Sequence, residues 1–126
     1  IADMDTTIIP NESLDDLAAL AGLTDAVTDI IKRAIAGEID FEGALFERAS
    51  MLAGKSSRLF DQLIAKKTPT SGAIELVHTM RTNVAKCYLV SGGFDAISGP
   101  VAALCGFHDH RANHMHVRDN KILGTV

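Results

Sequence analysis

Between Ser13 and Leu63 the apolar residues recur at three- and four-residue spacing, with no strand-like alternation. Leu14, Leu17, Ala18 and Ala21 form one stripe, opened by Ser13 as an N-cap and stopped at Gly22. Thr24 is placed to cap a second helix carrying Val27, Ile30, Ile31, Ala34 and Ile35, ending near Gly37. Asp40 is placed to cap a third, with Phe41, Leu45 and Leu52 on one face. A short fourth holds Leu59, Phe60, Leu63 and Ile64. This stretch reads as a small all-helical unit.

The pattern then changes. Residues 66–72 have linker composition. Ala73, Ile74, Val77 and Met80 make a helix face, and 84–90 reads as a strand running into Ser91-Gly92-Gly93-Phe94. A helix over 97–105 follows, in which Pro100 is tolerated only near the first turn. The tail from His114 alternates and contains Asp119-Asn120, a hairpin-turn signal. Ile1-Ala2 looks like the end of a strand, followed by the polar loop Asp3-Met4-Asp5-Thr6-Thr7. The expected fold is α/β, with a parallel-sheet core interrupted after its first strand by a helical insertion. Residues 1–11 are read as core, 12–67 as the insertion, and 68–126 as core continued. Such a layout brings the strand-end loops at Asp3 and Ser91 to one sheet edge, where ligands of open α/β sheets bind.

Composition narrows the function. The chain has 126 residues, 47% hydrophobic and 22% charged, with a formal net charge of −4. This favours a mildly acidic protein with a real core, and argues against nucleic acid as the main partner. No apolar run approaches the roughly 20 residues of a membrane span. Cys87 and Cys105 both lie in apolar surroundings, read as buried thiols in a reducing cytoplasm rather than as a disulfide. Ile1 is not a natural start, so the chain is expected to begin inside a longer protein.

The chemistry concentrates at few positions. Asp3 and Asp5 are two apart at a strand end, so their carboxylates crowd one side. Mutual repulsion raises the proton affinity of one, and a hard cation such as Mg²⁺ would stabilise the ionised partner. Taken alone, Asp-x-Asp is equally a polar turn. Ser91-Gly92-Gly93 offers backbone N–H groups and a hydroxyl to phosphate oxygens, or simply makes a tight turn. Arg48 falls in the stripe of Phe41, Leu45 and Leu52, where a guanidinium must meet an anion or reach water. Glu12 is an anion at the mouth of the insertion, where a helix dipole also favours one. Four of the five histidines, His108, His110, His114 and His116, are spaced as zinc ligands could be, or as an exposed hairpin could be.

Together these residues resemble a known family. Asp3-Met4-Asp5-Thr6-Thr7 is similar to motif I, Asp-x-Asp-x-Thr, of the haloacid-dehalogenase (HAD) superfamily. Val90-Ser91-Gly92-Gly93-Phe94 resembles motif II of its phosphoserine phosphatase branch. The segment from Ala34 to Arg48 resembles that branch's helical cap, and the likeness extends through Glu12, residues 68–73, Gly106-Phe107, Ala112-Asn113 and residues 121–124. The resemblance implies a HAD-like Rossmann-type core with an inserted helical cap, and Mg²⁺-dependent hydrolysis of O-phosphoserine, the last step of serine biosynthesis. It casts Asp3 as nucleophile and Asp5 as acid/base. Mg²⁺ would be held by the Asp3 carboxylate and the Asp5 backbone carbonyl. Ser91 and Gly92 would bind phosphate, Glu12 and Arg48 the substrate's amino and carboxylate groups, and Phe41 would shape the cap's closing face. It implies a cytoplasmic enzyme with a small-molecule substrate, no nucleic-acid or membrane partner, and a homodimer left open. In that family the histidine hairpin binds no metal.

The motif III lysine and the motif IV Gly-Asp-x-x-x-Asp loop have no counterpart in these residues, and Lys121 does not fill the lysine's place. The sequence is therefore expected to be a fragment, inactive by itself. Other readings in the same fold are another small phosphomonoester, or phosphotransfer to homoserine. From other classes come a non-enzymatic phospho-acceptor, against which Asp5 argues, and a histidine-rich metal-binding module.

Overall fold

A computed structural model describes residues 1–126. The chain resolves into two compact units, Ile1–Ser13 with Ile64–His114, and Leu14–Leu63 with Met115–Val126. The sequence reading carried the core through residue 126, whereas the last twelve residues group with the helices.

The first unit is α/β. Strand β1 (Ala2–Asp3) pairs in parallel with β2 (Tyr88–Phe94), and β2 pairs in parallel with β3 (Asp109–Asn113), in the order β1-β2-β3. Along β2, Leu89 and Ser91 are buried and Tyr88, Val90 and Gly92 exposed, the two-residue period of a pleated strand. Helix α5 (Ala73–Thr82) packs on α6 (Asp95–Cys105), and α6 packs on β2 and β3. Met4, Ile9, Leu89, Phe94 and Ile97 are fully buried in this unit. Each such side chain contributes about 1.5–3 kcal/mol of transfer free energy. Both cysteines are free and buried.

Three sequence expectations shift here. The predicted strand at 84–90 begins later, at Tyr88, because Val84 lies in the left-handed region (φ 67°) and helps end α5. There the Ala85 N–H donates to the Met80 carbonyl at 3.0 Å. The Ser91-Gly92-Gly93 segment, expected as a loop, lies inside β2, with the β2–β3 register shifting between Val90 and Phe94. Helix α6 starts at Asp95 rather than 97, so Pro100 lies inside the helix, where the N–H it lacks would have bonded Ala96.

The second unit contains α1 (Ser13–Leu20) from its second residue on, α2 (Thr24–Ile35), α3 (Phe41–Met51), the first turns of α4 (Arg58–Lys66) and a hairpin of β4 (Val117–Arg118) and β5 (Lys121–Ile122). Gly22 and Gly37 stand past the ends of α1 and α2 with φ of 73° and 75°, as the sequence stops require. Asp40 caps α3, accepting the Gly43 N–H at 2.7 Å. Thr24 makes no such cap; its residue is already the first of α2. Helices α2 and α3 are clamped by Arg33, which forks onto both Glu47 oxygens at 2.7 and 3.0 Å. The hairpin turn is Asp119-Asn120, both with positive φ (50° and 60°), the backbone a two-residue type I′ turn needs. No helix is long and apolar enough to cross a membrane.

Candidate active site

The parallel pairing places Asp3 beside Val90, one residue before Ser91. The carboxylate pair at the end of β1 thus lies next to the glycine segment within β2. Asp3 is exposed, and its Oδ1 accepts the Met4 N–H at 2.8 Å, which fixes the carboxylate's orientation. After Asp3 the chain makes one wide turn over Met4–Ile8, closed by the Ile9 N–H on the Met4 carbonyl at 3.0 Å. Asp5 departs from helical geometry within it (ψ 137°), and Thr6 is forced to φ 55°. A β-branched residue there is strained, a cost that surrounding contacts must hold in place.

Asp5 is half-buried. The Ser13 hydroxyl donates to its Oδ2 at 2.9 Å. Its Oδ1 is buried without a hydrogen-bond partner. Desolvation raises the Asp5 pKa above the ordinary carboxylate value, aided by the Asp3 charge and opposed by the Ser13 bonds and the Lys67 charge. A carboxyl that holds its proton more tightly suits proton donation to a leaving group.

Across the strand pair, the peptide between Gly92 and Gly93 is held at both ends. Asn113 donates its side-chain N–H to the Gly92 carbonyl at 2.9 Å, and the Gly93 N–H donates to the Ser91 hydroxyl oxygen at 3.0 Å. Ser91 therefore keeps its own hydroxyl proton for another acceptor. A Cβ on Gly93 would lie 3.3 Å from Ser91 Oγ and 3.4 Å from Ser13 Oγ, so only glycine leaves both hydroxyls undisturbed.

The family profile described as HAD: haloacid dehalogenase-like hydrolase matches residues 1–126. This chain belongs to that family. A phosphoserine phosphatase of Streptococcus thermophilus is 36% identical to this HAD-like hydrolase over 126 residues, covering all of the chain and 59% of the relative. A solved phospho-aspartyl intermediate analogue of phosphoserine phosphatase superposes with a TM-score of 0.85 at 33% identity, covering 97% of this chain and 58% of the other. A substrate-bound phosphoserine phosphatase complex gives 0.86 at 32% identity, covering 98% and 59%. The HAD-like chain thus spans somewhat under three-fifths of the length of these relatives.

The remaining predicted positions fall as follows. Glu12 is exposed in the segment before α1, in the first unit. Phe41 and Arg48 lie on α3 in the second unit. Phe41 is 74% exposed rather than part of a buried stripe. It is the first residue of α3, and helical side chains lean towards the N-terminus, so it overhangs the helix end. The face α3 buries is Ala44 and Ala49, continued by Leu52. Arg48 is half-buried beside it, with its Nε enclosed and unpartnered.

The histidines are divided among separate partners. His108 Nδ1 accepts the Cys87 N–H, His110 meets Ser98, His114 meets Asp95 and His116 meets Thr125. Sequence reasoning missed the roles of Ser13 and Asn113. A serine opening a helix reads as a cap, and only the chain's return onto Asp5 redirects it. Asn113 had a weak signal: it closes a strand that would run parallel to the glycine segment.

Proposed function

We propose that the full-length protein hydrolyses O-phospho-L-serine to serine and phosphate through an aspartyl-phosphate on Asp3. The observation that carries this reading is that Asp3, at the end of β1, pairs beside Val90, so the turn carrying Asp5 leaves β1 next to Ser91-Gly92 within β2. Similarity to phosphoserine phosphatases, one of them a phospho-aspartyl intermediate analogue, supports it.

An Asp3 oxygen attacks phosphorus as the bond from phosphorus to the serine oxygen breaks. Asp5 delivers its proton to that oxygen. A water then attacks the acyl-phosphate, Asp5 takes the water's proton, and phosphate departs with Asp3 regenerated. The Ser91 hydroxyl and Gly92 N–H hold phosphate oxygens throughout. The hard oxygen donors of the Asp3 carboxylate and the Asp5 carbonyl, just past the end of β1, fit Mg²⁺. When bound, Mg²⁺ would neutralise phosphate charge. No cluster of three or more acidic, histidine or cysteine side chains could complete a metal site within these residues. On the substrate side, Arg48 takes the carboxylate in a bidentate grip and Glu12 the ammonium, with Phe41 shaping the closing face. The enzyme so described acts in the cytoplasm on a small molecule.

The test is turnover of phosphoserine by full-length protein with Mg²⁺, together with trapping of an acid-stable, base-labile phosphate on Asp3. Phosphoserine left intact by protein that turns over aryl phosphates would overturn the substrate assignment.

A further inference from the structure

We infer that Ser13 is a positioning residue for Asp5, fixing one carboxylate oxygen so that the other, Oδ1, is the atom that exchanges protons. The inference rests on the role given to Asp5 above. Ser13, expected from the sequence to cap α1, is instead its first residue. Here its hydroxyl donates to Asp5 Oδ2 at 2.9 Å. The residue is fully buried, so no solvent competes for that proton. Gly93 bounds the other side, with an added Cβ only 3.4 Å from Ser13 Oγ. The Ser13 hydroxyl thus engages Oδ2, while Oδ1 is enclosed without a hydrogen-bond partner. That bond restricts rotation of the carboxylate about its Cβ–Cγ axis. The second oxygen is then presented in one place, as general acid–base catalysis requires. Without the hydroxyl the carboxylate loses that bond and gains rotational freedom.

The two half-reactions depend unequally on that placement. Serine is a poor leaving group and needs the proton from Asp5. An aryl oxide leaves without one, yet hydrolysis of the acyl-phosphate still needs Asp5 as base. In full-length enzyme with Mg²⁺, Ser13→Ala should lower kcat for phosphoserine by about tenfold to a hundredfold while KM stays within about twofold. With p-nitrophenyl phosphate it should give a burst of p-nitrophenol, absent in the wild type and equivalent to the folded enzyme present, as acyl-phosphate accumulates. Ser13→Thr, which restores the hydroxyl, should recover most of kcat and abolish the burst. Wild-type kcat in Ser13→Ala, a parallel rise in KM, loss without a burst, or failure of Ser13→Thr to restore kcat would each overturn the inference. Should the wild type turn over only the aryl phosphate, the phosphoserine assignment fails while the burst comparison still decides the role of Ser13.

Discussion

The turn after β1 and helix α3 hold their charged groups to different degrees. Asp5 lies half-buried with Ser13 bonding one of its oxygens, and the facing Gly92–Gly93 peptide is fixed by Asn113 and Ser91. On α3, the Arg48 Nε is enclosed with no partner, and Phe41 is exposed. Each group keeps one enclosed atom without a partner, Asp5 Oδ1 and Arg48 Nε, which is unfavourable, but Asp5 is also held through its other oxygen. The contrast teaches a division of labour. The groups proposed to act on phosphate are held by the chain's own hydrogen bonds, whereas no protein acceptor meets the Nε of the group proposed to read the substrate's carboxylate.

The sharpest way to break this contrast is at the nucleophile. Asp3→Asn should abolish turnover of phosphoserine and aryl phosphate alike, by at least about 10⁴-fold, without loss of thermal stability. Activity and acyl-phosphate trapping would be measured together; a variant retaining substantial turnover would exclude Asp3 as the nucleophile. Arg48→Ala should separate the two regions. We expect kcat/KM for phosphoserine to fall by about two orders of magnitude, and that for p-nitrophenyl phosphate to stay nearly unchanged. Equal losses on both substrates would assign Arg48 to the fold or to phosphate. Gly93→Ala should act on both substrates together, weakening inhibition by inorganic phosphate by roughly tenfold, because its methyl group displaces Ser91 Oγ. Unaltered phosphate inhibition would show that this peptide need not be held tightly. Val84→Gly, remote from both regions in role, should leave kinetics intact and stabilise the protein by about 0.5–1 kcal/mol through relief of its φ of 67°. A thermal melt without an upward shift would show that Val84 carries no strain.

Much of this was legible in the residues. The helices announced themselves by apolar spacing, their ends by Gly22 and Gly37, and one cap by Asp40. The hairpin turn was written in Asp119-Asn120. What local pattern could not show was how tertiary contacts reassign a group's partners. Ser13 has the identity of a cap, but its hydroxyl is taken by a carboxylate eight residues upstream. Periodicity put Phe41 in the stripe with Arg48, but a residue at a helix's first position overhangs the end and is released from that face. The strand expected from Val84 was shortened because helix termination needed a left-handed residue, and a valine was made to supply it.

The hairpin has a consequence for modularity. Its strand β5 is stitched to the turn between α3 and α4: the Gly54 N–H donates to Ile122, the Ile122 N–H to Lys55 and the Ser57 N–H to Asn120, at 2.8–2.9 Å. Gly124 sits so close that an added Cβ would fall 2.8 Å from Ala53 Cβ. The helical insertion is therefore a two-piece module, completed by chain made some sixty residues later. A graft of residues 14–63 alone into another scaffold would carry a raw seam, with those backbone groups unpaired and Ile122's place in the core empty. A transplant that exchanges 115–126 as well would bring both halves of the stitch. During synthesis the same geometry delays closure of the module until the tail has emerged.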